Sequence, residues 1–220
     1  MKRKALIFGT GSFAELAYFY LSNDSEYDVV GFSATGDFAA TSEFNGLPLV
    51  AFDDLTTVFP PADHELFVAV GYSHLNRLRE QFVAEARAKG YRLLTYICSR
   101  ATTWPDLKIG DNCFIFEDNT IQPFVEIGDN TILWSGNHVG HHSVIGPNCF
   151  IASHVVVSGH CRIGSSCFIG VNATISETVS IADRNLIGPA ALVQKNTRPD
   201  EVYLAERASK FAKKSDWFFK

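Results

Sequence analysis

The stretch that decides the fold runs from Leu107 to Val193: LKIGDNCFIFEDNTIQPFVEIGDNTILWSGNHVGHHSVIGPNCFIASHVVVSGHCRIGSSCFIGVNATISETVSIADRNLIGPAALV. Starting at Ile109 and stepping by six, the chain gives Ile, Leu or Val at fifteen consecutive positions, ending at Val193. No α-helix has a six-residue period, and within each unit the apolar positions alternate as in a short strand. Two residues before the aliphatic stands a second series, mostly small: Cys113, Thr131, Ser143, Cys149, Cys161, Cys167, Ala173 and Ala191. Residues two apart share a strand face, so each unit sends one large and one small side chain inward. Glycine often follows the aliphatic, at Gly110, Gly128, Gly146, Gly164, Gly170 and Gly188, and is read as the corner where the chain turns. Ile109, Ile127, Ile145 and Ile163 are 18 residues apart, so three hexapeptides make one triangular turn. The stretch therefore predicts a parallel β-helix of about five coils stacked like on like.

The repeat also explains most of the cysteines. Cys98, Cys113, Cys149, Cys161 and Cys167 contain no CxxC pair, and their number is odd. Four of them fall in the small inward series, where a buried thiol packs as a small hydrophobe.

The first hundred residues read differently. LIFGTGSFAELAYFYL is a strand, a glycine turn and a helical pattern; VVGFS, ELFVAVG and RLLTYI are further apolar runs. LNRLREQFVAEARAKG is an amphipathic helix that stops at Gly90. Strands alternating with helices predict a small Rossmann-like parallel sheet, with a ligand site at its strand ends near Gly9, Gly11 and Gly71. Ala14 holds the third position of GxGxxG, and Ser33-Ala34 follow the second strand where an acidic residue would stand, so the dinucleotide fingerprint is absent. The expected division is 1–98 for this α/β domain, 99–195 for the β-helix and 196–220 for a tail that caps the last coil.

Bulk properties exclude other classes. A hydrophobic share of 46% with 20% charged residues is that of a core-forming chain, and a net charge of −5 gives no electrostatic reason to expect nucleic acid. The start MKRKALIFGTG has basic residues before an apolar run, but Ala5 to Phe8 is too short for a signal h-region, and no apolar stretch could span a membrane. The expectation is a soluble cytoplasmic protein.

Five of the seven histidines lie within 23 residues: His138, His141, His142, His154 and His160. None occupies the inward series, so all project outward or sit at corners. His142 and His160, 18 apart, share a column on successive coils. An outward imidazole titrates near neutrality and suits general-base work if another surface closes over it, as in the grooves of a cyclic trimer. Zinc is the rival use of clustered histidines, but three converging ligands are not evident from the columns, and no metal is expected.

IFGTGSFAEL, GHHSVIGPNCFIASHVVVSGHCRIGSSCFIGVNATI and SIADRNLIGPAALV resemble the bacterial sugar O/N-acyltransferases of the NeuD and PglD type over nearly the whole chain. The resemblance implies a trimeric, left-handed β-helix enzyme that uses acetyl-CoA as co-substrate. It implies N-acetylation of an amino sugar, a nucleotide-linked deoxy amino sugar destined for surface glycans. In GHHSVIG, His141 takes the place of the family's catalytic base, and His142 that of its acidic neighbour. The histidine that contacts the acetyl group is replaced by Phe150, with His154 four residues on. The acetyl-CoA groove maps to His154, Gly170-Val171 and Gly188-Pro189, where proline removes one N–H donor. The sugar-nucleotide site maps to Gly11, Ser12, Phe13 and Gly71. Open alternatives are sugar O-acetylation, a zinc enzyme like the β-helical carbonic anhydrases, and a non-catalytic binding protein.

Overall fold

A computed structural model describes residues 2–210, 212–215 and 217. The N-terminal sheet contains β1 (Arg3–Phe8), β2 (Tyr27–Ala34), β3 (Glu43–Phe44), β4 (Leu47–Ala51), β5 (Glu65–Val68) and β6 (Arg92–Leu93). Its order is β3-β4-β2-β1-β5-β6, parallel except for the β3–β4 pair. Helix α1 (Ser12–Asn23) follows β1, the single-turn helix α2 (Leu55–Val58) follows β4, and helix α3 (Arg77–Ala88) follows β5. Strand order reverses beside β1, so the carboxyl ends of β1 and β5 flank the switch point where parallel α/β sheets bind ligands. Gly9 is dictated there: its φ is +125°, and a Cβ would lie 2.9 Å from the Ala69 carbonyl oxygen.

The repeat forms a three-sided prism of parallel two-residue strands. One face stacks Phe114–Ile115, Ile132–Leu133, Phe150–Ile151, Phe168–Ile169 and Leu186–Ile187. It is extended at one end by Tyr96–Ile97 and at the other by Val202–Tyr203. The second face runs through Thr120–Ile121, His138–Val139, Val156–Val157, Thr174–Ile175 and Leu192–Val193. The third runs through Lys108–Ile109, Glu126–Ile127, Val144–Ile145, Arg162–Ile163 and Ser180–Ile181. Each repeat strand pairs with the one 18 residues on, as the spacing predicts, and only the closing Val202–Tyr203 strand departs from it, 16 residues after Leu186–Ile187. The aliphatic column and the four repeat cysteines form one buried core, and all five cysteines are free.

Two details differ from the sequence reading. The glycines after the aliphatics are not the left-handed corners. That conformation falls instead on every sixth residue from Asn112 to Ala190. Asparagine is favoured there because it tolerates positive φ. Gly128, Gly146 and Gly170 are needed for a different reason: a Cβ on any of them would come within 2.6 to 2.8 Å of the next coil's backbone. The small inward residues also do more than fill space. Cys113, Cys149 and Cys161 direct their thiols at the Gly128, Gly164 and Ser176 carbonyls, at 3.2, 3.1 and 3.1 Å. Thr131 and Ser143 donate to the same kind of carbonyl, at 3.0 and 2.9 Å. Burial pushes the Cys113 thiol up to about 12, so it stays a neutral donor.

The α/β domain docks on the first face. Ala14, Ala17 and Leu21 of α1 share a core with Phe114, Phe116, Ile132 and Phe150. The second tie is polar. Arg79 of α3 is fully buried and donates to Gly71 O at 2.8 Å, Asn130 Oδ1 at 3.0 Å, Asn130 O at 3.1 Å and Cys149 O at 3.0 Å. Burial without a carboxylate partner lowers its pKa to about 10. The third tie is Asp24, which accepts from Tyr96 Oη at 2.6 Å and Ser99 N at 2.8 Å. At the far end, residues 196–203 close the last coil: Asn196 and Thr197 accept from the Ser180 and Ala182 amides, and Arg184 is bidentate to Asp200.

Candidate active site

His141 and His142 lie at the edge between the second and third faces, just after the His138–Val139 strand. Gly140 must be glycine because a Cβ would fall 2.5 Å from Gly159 N. His142 takes the left-handed conformation, φ 59°, which turns its side chain outward. The His141 amide donates to Gln122 Oε1 at 2.9 Å. Its ring lies over Gly159, whose missing Cβ would sit 3.0 Å from Cε1 and 3.1 Å from Nε2. Its Nδ1 is 3.1 Å from His142 Nδ1. Two nitrogens at that distance share one proton as donor and acceptor, which couples the tautomers of the pair. Nε2 of His141 has no hydrogen-bond partner among the described residues.

His142 and His160 share a column as expected, and their rings stack at 4.9 Å with an interplanar angle of 15°. Phe124, one coil earlier, packs on the other side of His142 at 4.6 Å. The column arithmetic misses the third contact. His141 meets His160 edge-on at 5.0 Å, and one ring nitrogen from each of the three histidines lies within 4.8 Å of the others. The three do converge, contrary to the sequence reading. His138 and His154 stand apart from this cluster.

The sugar-site candidates gather elsewhere. Gly11, Ser12, Phe13 and Gly71 all line one cavity of about 360 Å³ between the α/β domain and the first face. Leu16, Ala69, Tyr72, Trp134 and Phe150 complete it, and with Phe13 four of its lining residues are aromatic. Trp134 rests on Phe116 at 4.3 Å and faces Phe13 and Phe150 at 5.8 Å each. A neighbouring cavity of about 430 Å³ opens over the switch point, between Gly9–Gly11, Ala34–Thr35 and Ala69–Val70. Trp134 and Tyr72 are not among the site residues the sequence points to. Trp134 carries a usable signal, since it follows an inward Leu where most coils place a small residue.

His154, Gly170, Val171, Gly188 and Pro189 share the edge between the first and second faces. Gly170 N–H and Gly188 N–H are committed to the coil ladder, to Ile187 O and Tyr203 O at 2.7 Å each, and the His154 amide to Ser135 O at 3.0 Å. Among the five, only Val171 N–H is left without a partner among the described residues. Glu117 stands at this edge, accepting from Tyr20 and Ser135 at 2.6 and 2.8 Å. Burial alone would raise its carboxyl, but those two bonds hold it below the usual range. The same edge carries Trp134, so these residues adjoin the aromatic cavity. The histidine cluster does not: the whole second face lies between it and that edge within one chain.

Among the described residues no helix is long and apolar enough to cross a membrane. The bacterial transferase hexapeptide (six repeats) family model matches residues 106–140. No curated protein sequence matches the chain. Solved structures do. The acetyltransferase domain of PglB from Neisseria gonorrhoeae is 22% identical with a TM-score of 0.78, over 91% of this chain and 96% of that one. A histidine-to-asparagine mutant of perosamine N-acetyltransferase from Caulobacter crescentus, in complex with CoA and GDP-perosamine, is 23% identical with a TM-score of 0.79, over 90% and 92%. PerB from the same organism, with the same two ligands, is 25% identical with a TM-score of 0.75, over 90% and 91%. The fold is thus a left-handed parallel β-helix behind an α/β domain.

Proposed function

We propose that this chain, which joins hexapeptide-repeat coils to an α/β domain in the fold of the sugar N-acetyltransferases, is an acetyl-CoA-dependent N-acetyltransferase acting on a nucleotide-linked amino sugar. The observation that carries the reading is the state of His141. Its Nδ1 is paired at 3.1 Å with a neighbouring ring nitrogen, while Nε2 has no hydrogen-bond partner among the described residues. If His141 donates Nδ1–H to His142 Nδ1, its Nε2 holds the lone pair a general base needs. The family's acidic residue is absent, and a neutral imidazole takes over its task of fixing the tautomer.

The reaction then runs as follows. The sugar amine attacks the thioester carbonyl, and His141 Nε2 takes the amine proton as the C–N bond forms. The imidazolium keeps its Nδ1–H bond to His142. The tetrahedral oxyanion is met by backbone N–H groups at a coil edge, for which Val171 N–H is available. Collapse expels the CoA thiolate, which recovers the proton from His141. Alignment of two bound substrates contributes as well, and the base adds roughly 10²–10⁴.

Within this reading, Gly11, Ser12, Phe13 and Gly71 hold the sugar nucleotide against Trp134. His154, Gly170, Val171, Gly188 and Pro189 line the acetyl-CoA path, Gly170 and Gly188 through close packing and not through N–H donation. The 1–98 segment serves substrate binding, 99–195 transfer, and 196–220 capping. The separation of the histidines from the acetyl-CoA edge supports a homotrimer, in which one subunit's His141 faces another's aromatic cavity. A need for acetyl-CoA and nucleotide sugars fits a cytoplasmic enzyme.

The test is a transfer assay with acetyl-CoA and UDP-, dTDP- and GDP-amino sugars, comparing wild type with His141→Asn. We expect an amide product, stable to mild alkali, and a loss of roughly 10²-fold or more in turnover. Near-wild-type turnover of the variant removes the base role, and an alkali-labile product replaces N- by O-acetylation.

A further inference from the structure

The geometry points to a binding site for one divalent transition-metal ion, of zinc's class, held by His141, His142 and His160. Three ring nitrogens within 4.8 Å of one another, all on exposed side chains, are the observation. In addition, Nδ1 of His141 and Nδ1 of His142 are only 3.1 Å apart. That is close to the span of about 3.3 Å between neighbouring ligands of a tetrahedral ion with ~2.0–2.1 Å bonds. The His160 ring stacks parallel to His142, so it needs only a side-chain rotation to turn its nitrogen inward, and its exposure leaves that rotation free.

The donor set selects the ion. Three neutral imidazoles and no carboxylate suit Zn²⁺, Co²⁺, Ni²⁺ or Cu²⁺ and offer nothing to Mg²⁺ or Ca²⁺. The backbone holds the set in place. His142 and His160 occupy the left-handed corner position on successive coils, at φ 59° and 56°. The amide of His160 donates to His141 O at 2.9 Å, which ties the two coils together at the site. A solenoid whose coils are locked in register presents these ligands as a nearly preformed set, with the outer position open to water.

The ion takes a lone pair of His141, and coordination also breaks the His141–His142 hydrogen bond. Metal binding and acetyl transfer therefore exclude each other, and the metal acts as a reversible inhibitor. The binding site stands on the histidine geometry alone; the inhibition rests on the transferase reading.

The experiment uses the full chain without a polyhistidine tag. Zn²⁺ is titrated calorimetrically, and Co²⁺ is followed by its visible absorption, into wild type, His142→Asn, His160→Asn and the control His138→Asn. Asparagine tolerates the left-handed corner and is a poor zinc ligand, so the variants keep the fold, which circular dichroism checks. The expected result is one equivalent per subunit. Affinity should fall about 10-fold or more in His142→Asn and His160→Asn and stay unchanged in the control. Absence of stoichiometric binding, or binding indifferent to His160→Asn, overturns the site whether or not the protein transfers acetyl groups. In the transfer assay, Zn²⁺ should inhibit wild type reversibly by EDTA and inhibit His160→Asn only at higher concentration. Stoichiometric binding without inhibition overturns the exclusion and leaves the site standing.

Discussion

Gly159→Ala tests the proposed base, His141, without replacing it. A Cβ at residue 159 would lie 3.0 Å from His141 Cε1 and 3.1 Å from Nε2. Carbon contacts settle at about 3.5–4.0 Å, so the ring has to withdraw by roughly 0.5–1 Å. It has little slack, because its Nδ1 bond to His142 is already 3.1 Å long. Withdrawal stretches that bond and moves Nε2 away from the substrate amine. A misplacement of about 1 Å costs up to ~10²-fold in rate, and the base as a whole is worth ~10²–10⁴. Turnover should therefore fall by roughly 10- to 100-fold. The KM values for both substrates should hold, since neither proposed binding region includes this edge. The backbone at Gly159 is outside the left-handed region, so alanine fits the main chain, and Tm should move by no more than ~3 °C. Steady-state kinetics of the purified variant, with thermal unfolding as the control, reads both quantities. Turnover within about twofold of wild type at unchanged Tm would refute the reasoning, because the ring would then work from a position other than the one the coils impose.

Arg79→Ala should destabilise the protein by about 3–5 kcal/mol, seen as a Tm lowered by ~10 °C, because the Gly71 and Asn130 carbonyls lose their donor in a buried place. Arg79→Lys should recover little, since an ammonium does not reproduce the planar fork. Asp24 is affected by burial, which raises its carboxyl, but the Ser99 and Tyr96 bonds outweigh that and hold it well below the usual carboxylate range. A depressed folded value gives stability that is present above the unfolded value of about 4 and lost as pH falls through the folded one. The gap in urea midpoint between wild type and Asp24→Asn should thus be full near pH 6 and shrink below about pH 4; a gap that widens on acidification contradicts it. Trp134→Ala should raise the KM for the amino sugar about tenfold, by loss of one aromatic wall, while the KM for acetyl-CoA changes less; equal effects on both would remove Trp134 from the sugar cavity.

The prism was legible because a solenoid repeats its own contacts: a residue and the one 18 later touch, so arithmetic on the sequence predicts packing. That is why the stacking of His142 on His160 could be read in advance. Arithmetic along columns fails for contacts that cross them. His141 reaches His160 because Gly159 leaves room for its ring, and that glycine is displaced by one residue from Gly140 in the preceding coil. Nothing in the spacing marks this offset as different from the stacking glycines. The corner signal lies in the asparagine and not in the glycine two residues before it. In GDN at 110–112, GDN at 128–130 and GPN at 146–148, the asparagine takes the positive φ, and the glycine makes room for the next coil. The docking arginine was illegible for a different reason. Arg77, Arg79 and Arg87 sit on one amphipathic helix and look alike in sequence. Only the turn of α3 against the β-helix buries Arg79 among carbonyls and leaves Arg77 in water. A periodic sequence thus specifies how the coils stack along the axis. The lateral placement of cavity, edge and histidines around the prism comes from single residues that break the period, and there one chain carries the proposed base and the proposed binding edge on opposite sides of a face.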